Sequence, residues 1–166
     1  FKGRHILVTG ASTGIGRATA RMLARRGARV SLIARSEATL QEAVAEIRSE
    51  GGAAAYGVAD VGDKFALLSV FDTAEGAFGP IEGLFANAGM GGSFAPFSDY
   101  DDDMFDTVIR TNMTSVFWAM KRVLPGMVAR RRGSIVITGS LASERGMANN
   151  PGYVASKHAA LGLARA

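Results

Sequence analysis

Tyr153 and Lys157 stand four residues apart in the run PGYVASKHAALGL, so a helix there stacks a phenol and an ammonium on one face. Such a pair can move protons. A cation beside a phenol favours the phenolate, which makes the hydroxyl hydrogen available to a neighbouring acceptor. One exposed lysine supplies little of that stabilisation, so a second positive charge is expected nearby. Taken alone, the same two residues also fit a solvated helix surface.

A second group of residues has the composition of an anion site. Residues Thr9 to Gly16 read TGASTGIG and fall between an apolar run and an amphipathic one, where a glycine-rich turn can hold a pyrophosphate against a helix N-terminus. Gly10 permits the tight turn, Gly14 lets backbone amides approach phosphate, and Gly16 allows close packing of helix on strand. The spacing departs from GxGxxG, and a turn that merely needs glycine is the plain alternative. After the next apolar run comes Ala34-Arg35-Ser36. With no carboxylate there to bind a ribose diol, Arg35 and Ser36 suit a 2′-phosphate, which favours NADP(H) over NAD(H). The alternative is an Arg35 that only points to solvent.

Positioning these groups requires alternating elements. Short apolar runs at His5–Thr9, Arg29–Ala34, Ala54–Val58, Ile81–Ala86 and Ser134–Thr138 read as strands. Helical patterns cover Gly16–Arg26, Glu37–Glu50, Lys64–Phe78, one long stretch Asp101–Ala129, and a last one from about Tyr153. Five strands separated by helices predict right-handed crossovers and a parallel sheet covered on both faces, a doubly wound α/β design in one domain. Asp101, Asp102 and Asp103 fit a helix start better than a metal site, and Arg130, Arg131 and Arg132 fit a solvated helix end.

Composition narrows the function classes. The 166 residues carry no cysteine and only two histidines, which rules out disulfides and thiolate metal sites; no bound metal is expected. No apolar segment is long enough to span a bilayer, and the first residues read as a strand rather than a signal peptide, so a cytoplasmic protein without a membrane role is expected. The net charge of +4 points to an anionic ligand rather than to nucleic acid, because the basic residues form no patch beyond the run before Gly133.

Taken together, the TGxxxGxG turn, Asn87-Ala88-Gly89 after the fourth apolar run, Asn112, Ser140 and Tyr153-xxx-Lys157 resemble the short-chain dehydrogenase/reductase family. Ser140 lies thirteen residues and Asn112 forty-one before Tyr153, spacings similar to those of its three-oxoacyl carrier-protein reductase-like branch. The resemblance implies a Rossmann-like sheet in the order 3-2-1-4-5 and hydride exchange between a dinucleotide and an alcohol or ketone. It implies that Gly10, Ser12, Gly14, Ile15 and Gly16 line the pyrophosphate, that Asp60 binds adenine, and that Asn87, Ala88 and Gly89 flank the cofactor's ribose. Tyr153 is then the general acid and base. Lys157 holds the nicotinamide ribose, and the oxidised nicotinamide is the second positive charge. Ser140 donates to the substrate oxygen. The Asn112 main-chain carbonyl, at an irregularity in its helix, holds a water that relays protons.

Plain alternatives stand beside these roles: Asn112 as a poor helix former on an exposed face, Ser140 as a turn residue, Asp60 as a helix cap. The resemblance also implies two further strands and a substrate-covering segment beyond Ala166, which leaves the fifth strand as a sheet edge and only 90–100 and 141–150 as substrate walls. Phe94, Phe97 and Met147 give those walls apolar character, and Arg145 fits a solvated position. A homodimer or homotetramer follows if the fold is complete. Two competing readings are a non-catalytic dinucleotide-binding or interaction module and a sugar-nucleotide epimerase, whose TGxxGxxG turn does not match residues 9–16.

Overall fold

In the computed structural model, which describes residues 1–166, β1 (His5–Thr9) is buried at every position. A strand with both faces covered belongs in the middle of a parallel sheet. It pairs in parallel with β2 (Arg29–Ala34) on one side and β4 (Gly83–Ala86) on the other. Beyond them lie β3 (Ala53–Val58) and β5 (Ser134–Ile137), which gives the order β3-β2-β1-β4-β5. The crossovers carry α1 (Gly14–Arg25), α2 (Glu37–Ser49), α3 (Lys64–Phe78), α4 (Asp102–Ile109) and α5 (Ser115–Ala129), and α6 (Pro151–Arg165) follows β5. This is the Rossmann-like doubly wound α/β sheet that the resemblance implies.

Strand alternation sorts the core into two layers. Ile6, Val8, Val30 and Leu32 pack with Ala20 and Ala24 of α1 and Leu40, Val44 and Ile47 of α2. Leu7, Ile33 and Leu84 pack on the opposite face with Leu67 and Phe71 of α3 and Val116 and Val123 of α5. Each fully buried side chain of this size contributes about 1.5–3 kcal/mol. Over the first layer, Arg17, Arg21 and Arg25 interleave with Glu42, Glu46 and Glu50, successive turns of α1 meeting successive turns of α2.

Several boundaries differ from the sequence reading. The stretch expected as one helix over Asp101–Ala129 is divided: α4 ends at Ile109, residues Arg110–Thr114 form a π turn, and α5 continues from Ser115. Ser115 N–H donates to the Arg110 carbonyl five residues back, and the Ser115 hydroxyl donates to the Thr111 carbonyl at 2.6 Å. α1 begins at Gly14, two residues early, and β4 at Gly83, two residues late. Asp101 caps α4 by accepting from Met104 N–H. The arginines after α5 are not simply solvated: Arg130 donates to the Ile81 carbonyl, and Arg132 pairs with Glu82 at 3.0 Å. β5 pairs only with β4, and Val136 on it is 55% exposed. No helix is long and apolar enough to cross a membrane.

Candidate active site

Where the chain order reverses between β1 and β4, the C-terminal strand ends open into a cleft of about 670 Å³, in the size range of small-molecule and cofactor sites. Its floor is the turn after β1. A Cβ on Gly16 would collide with the Gly10 carbonyl, and one on Gly10 would lie 2.8 Å from Ala88 Cα, so the turn, α1 and the segment after β4 touch through bare backbone. Gly14 differs: its φ is +52° and a Cβ there would meet nothing. Thr13, at the head of α1, makes no side-chain cap, so the first amides of the helix remain free beside open space. Ser12, Thr13, Gly14 and Ile15 all line the cleft, whereas Gly16 lies behind it as the packing residue.

Asn87 fastens this floor to the sheet. Its Nδ2 donates to the carbonyls of Thr9 and Gly10, its Oδ1 accepts from the Thr138 hydroxyl at 2.9 Å, and the Thr9 hydroxyl accepts from the amides of Asn87 and Ala88. Both ends of the Asn87 amide are therefore committed within the protein. Asn87, Ala88 and Gly89 line the cleft together.

At the opposite end, Arg35 and Ser36 follow β2, are exposed and line the cleft. No carboxylate lies within ion-pair distance of Arg35, and the Ser36 side chain makes no cap on α2. Asp60 also lines the cleft, and its Oδ1 accepts from Gly62 N–H at 2.8 Å. That bond closes a local turn; the cap of α3 is Asp63, which accepts from Phe65 and Ala66.

Tyr153 and Lys157 form the third wall. Asn150 and Pro151 start α6, the first by accepting from Tyr153 N–H and the second as a pre-set first helical residue. One turn separates the two side chains, both line the cleft, and Lys157 Nζ lies 5.8 Å from the Tyr153 ring centroid. Lys157 is buried, 6% exposed, with no acidic partner, and its ammonium donates to the Thr138 carbonyl at 2.7 Å. Burial lowers its pKa from the usual lysine value, because a charge removed from water is disfavoured.

Asn112 and Ser140 stand outside the cleft lining. Asn112 is not on an exposed helix face: it is 2% exposed within the π turn, its Nδ2 donating to the Met90 carbonyl and the Ser156 hydroxyl while its Oδ1 accepts from Met90 N–H. Ser140 begins a short 3₁₀ turn, its hydroxyl accepting from Ala142 N–H at 3.1 Å. Of the apolar residues expected on the substrate walls, Phe97 and Met147 line a second cleft of about 530 Å³ together with His158, and Phe94 is 69% exposed.

Several contributors escaped the sequence reading. Thr138 anchors both Asn87 and Lys157, Thr9 receives the two amides that follow β4, and Thr107 and Thr111 line the cleft. Thr9 and Thr138 both end apolar strands, the one signal that marked them for the sheet's functional edge.

The comparisons agree with this geometry. A family model described as short chain dehydrogenase matches residues 4–166. The chain is 42% identical, over 147 residues, to 2-(S)-hydroxypropyl-CoM dehydrogenase 2 of Xanthobacter autotrophicus, a relative named as inactive, covering 88% of this chain and 62% of the relative. The crystal structure of NAD⁺-bound xylitol dehydrogenase is 39% identical with a TM-score of 0.93, covering 98% of this chain and 63% of that one. Actinorhodin polyketide ketoreductase with NADPH is 34% identical with a TM-score of 0.92, covering 96% and 62%. The chain thus spans less than two thirds of the length of each. A parallel sheet in this order, an open-amide glycine turn at its switch point, a Tyr-Lys turn of helix beside it and a matching family model along nearly every residue place the chain in the short-chain dehydrogenase/reductase family.

Proposed function

We propose that the protein exchanges hydride between NADP(H) and an alcohol or carbonyl compound, with Tyr153 as general acid in reduction and general base in oxidation. Membership alone does not carry this reading, since one relative is named inactive. The observation that carries it is the buried ammonium of Lys157, without a carboxylate, one helical turn from a phenol on the wall of the dinucleotide cleft. Keeping an unpaired charge there opposes folding, which argues for a functional reason.

The cleft fits a dinucleotide. Open amides at Ser12, Gly14 and Ile15, set by Gly10 and Gly16, suit the pyrophosphate. Asp60 suits the adenine, Asn87, Ala88 and Gly89 the ribose wall, and unpaired Arg35 with Ser36 a 2′-phosphate. Relatives hold NAD⁺ in one structure and NADPH in another, so the preference for NADP(H) rests on Arg35 and Ser36. When bound, the nicotinamide supplies or accepts the hydride.

The chain's own residues then divide the work. Lys157 uses one N–H on Thr138 and keeps two, which suit ribose hydroxyls, while its charge stabilises negative charge developing on Tyr153 Oη. Ser140 accepts at its oxygen and retains its hydroxyl hydrogen for the substrate oxygen. Asn112 spends its side chain on Met90 and Ser156, leaving the proton-relay role to its main-chain carbonyl. Exposed Phe105, Phe117, Leu124 and Val128 on α4 and α5 support a homodimer or homotetramer.

Tyr153→Phe tests the assignment. Turnover falls by about 10²-fold or more, the range of acid–base contributions, while NADPH affinity stays within about threefold. Turnover within twofold of the parent sinks the role of Tyr153. The competing non-catalytic module predicts NADPH binding with no substrate-dependent change in its absorbance.

A further inference from the structure

Asn150 is 1% exposed and commits both ends of its amide. Its Oδ1 accepts from Tyr153 N–H at 3.2 Å, and its Nδ2 donates to the Gly91 carbonyl at 2.8 Å. Next to it, the Asn149 carbonyl accepts from Ala95 N–H at 2.9 Å. Gly91 and Met90 line the cleft together with Tyr153. One side chain therefore ties the first turn of α6, which aims the phenol, to the facing wall of the site.

The space beneath this tie is filled tightly. A Cβ on Gly92 would lie 2.7 Å from Tyr100 Oη, and one on Gly152 3.0 Å. The Tyr100 hydroxyl is buried without any hydrogen-bond partner. Leaving it unpaired opposes folding, so the ring is held there by shape. Residue 92, next to the wall, and residue 152 on α6 both rest on that one ring, and Asn150 Oδ1 lies 3.5 Å from where a Cβ on Gly92 would stand.

We propose that Asn150 is a positioning residue that sets the separation between the Tyr153 phenol and the cleft wall at Met90–Gly91, and hence how closely a substrate oxygen approaches the phenol. The inference rests on the oxidoreductase reading above. Its two functions separate chemically. Aspartate or serine at this position still accepts from Tyr153 N–H and caps the helix, but neither offers the amide donor to Gly91. A residue needed only as a cap tolerates both changes.

The test compares Asn150→Asp and Asn150→Ser with the parent in the intact protein. Expected are a thermal midpoint lower by about 2–12 °C in the serine variant, because the Gly91 carbonyl loses its buried donor, and more in the aspartate variant, with helical hydrogen-exchange protection retained in α6. Exchange of the amides of 90–95 accelerates about tenfold, and kcat falls about tenfold with NADPH affinity nearly constant. Should the aspartate variant fail to fold, the serine variant decides alone. Unchanged exchange in 90–95, or kcat within twofold of the parent, overturns the proposal. Accelerated exchange in a protein whose parent turns over no carbonyl compound sinks the oxidoreductase reading instead, and leaves the tie between the two segments standing.

Discussion

Lys157 Nζ donates to the main-chain oxygen of Thr138 at 2.7 Å, so the helix that bears Tyr153 is fastened to the end of β5 by a charged group. The same threonine donates its hydroxyl to Asn87 Oδ1, and Asn87 donates to Thr9 and Gly10, which places the ammonium three hydrogen bonds from the glycine turn.

Lys157→Met keeps the stem and removes the charge. A hydrogen bond from a charged group is lost, about 1.5–3 kcal/mol, but so is the desolvation of a buried ion, which is of similar size and opposite sign. The thermal midpoint then moves by less than about 4 °C while turnover falls by about 10²-fold or more. A large loss of stability at preserved turnover would assign Lys157 to architecture.

Arg35→Ala probes the cofactor end. A charge-assisted pair with a 2′-phosphate is worth about 1.5–3 kcal/mol, so the NADPH dissociation constant rises about 10- to 100-fold while that of NADH is nearly unchanged. Fluorescence titration with both dinucleotides gives the ratio directly. An unchanged ratio refutes the assignment of Arg35 and Ser36.

His5 makes the fold sensitive to mild acid. Its Nδ1–H donates to the Gly79 carbonyl at 2.7 Å, so in the neutral ring Nε2 accepts from the Ser31 hydroxyl at 2.8 Å, with the Phe78 ring in a T-shaped contact. Burial lowers its pKa below 6.5, with Arg29 acting in the same direction and the Gly79 carbonyl, Glu75 and Glu82 opposing. Between that lowered value and 6.5 the unfolded chain binds the proton and the folded one does not. Stability is therefore full above pH 6.5 and declines as pH falls through the folded value. Glu50, held at about 2 by hydrogen bonds from Arg21 and Arg25, titrates far below this window. Urea unfolding between pH 8 and pH 5 reads the effect, and His5→Asn flattens it; an equal slope in that variant contradicts the attribution.

The sequence was most legible where a pattern is local. The runs at His5–Thr9 and Arg29–Ala34 match β1 and β2 residue for residue, because a mainly apolar stretch covered on both faces has no exposed face to blur its ends. The glycine turn and the Tyr153-Lys157 pair are equally short-range, and both lie on the cleft. What stayed hidden depends on partners distant along the chain. Asn112 reads as a weak helix former until Met90 and Ser156 enclose it, and Asn150 as only the last residue of a substrate wall until Gly91 is brought against it. The residue pattern alone masks the break between α4 and α5, because apolar residues continue through it at helical spacing; the irregularity at Asn112 is anticipated only through the family resemblance.

That π turn has a geometric consequence. One surplus residue in a helical stretch advances everything after it by about 100° around the axis. Val116, Ala119, Val123 and Met127 meet the sheet only because the advance occurs before them. Regularising 110–114 into an α-turn at its present length would undo that and carry Ser115, Trp118 and Arg122 toward Leu84 instead, whereas losing one residue together with the π turn would leave the register of α5 unchanged, so the core holds the wide turn in place for as long as the segment has five residues.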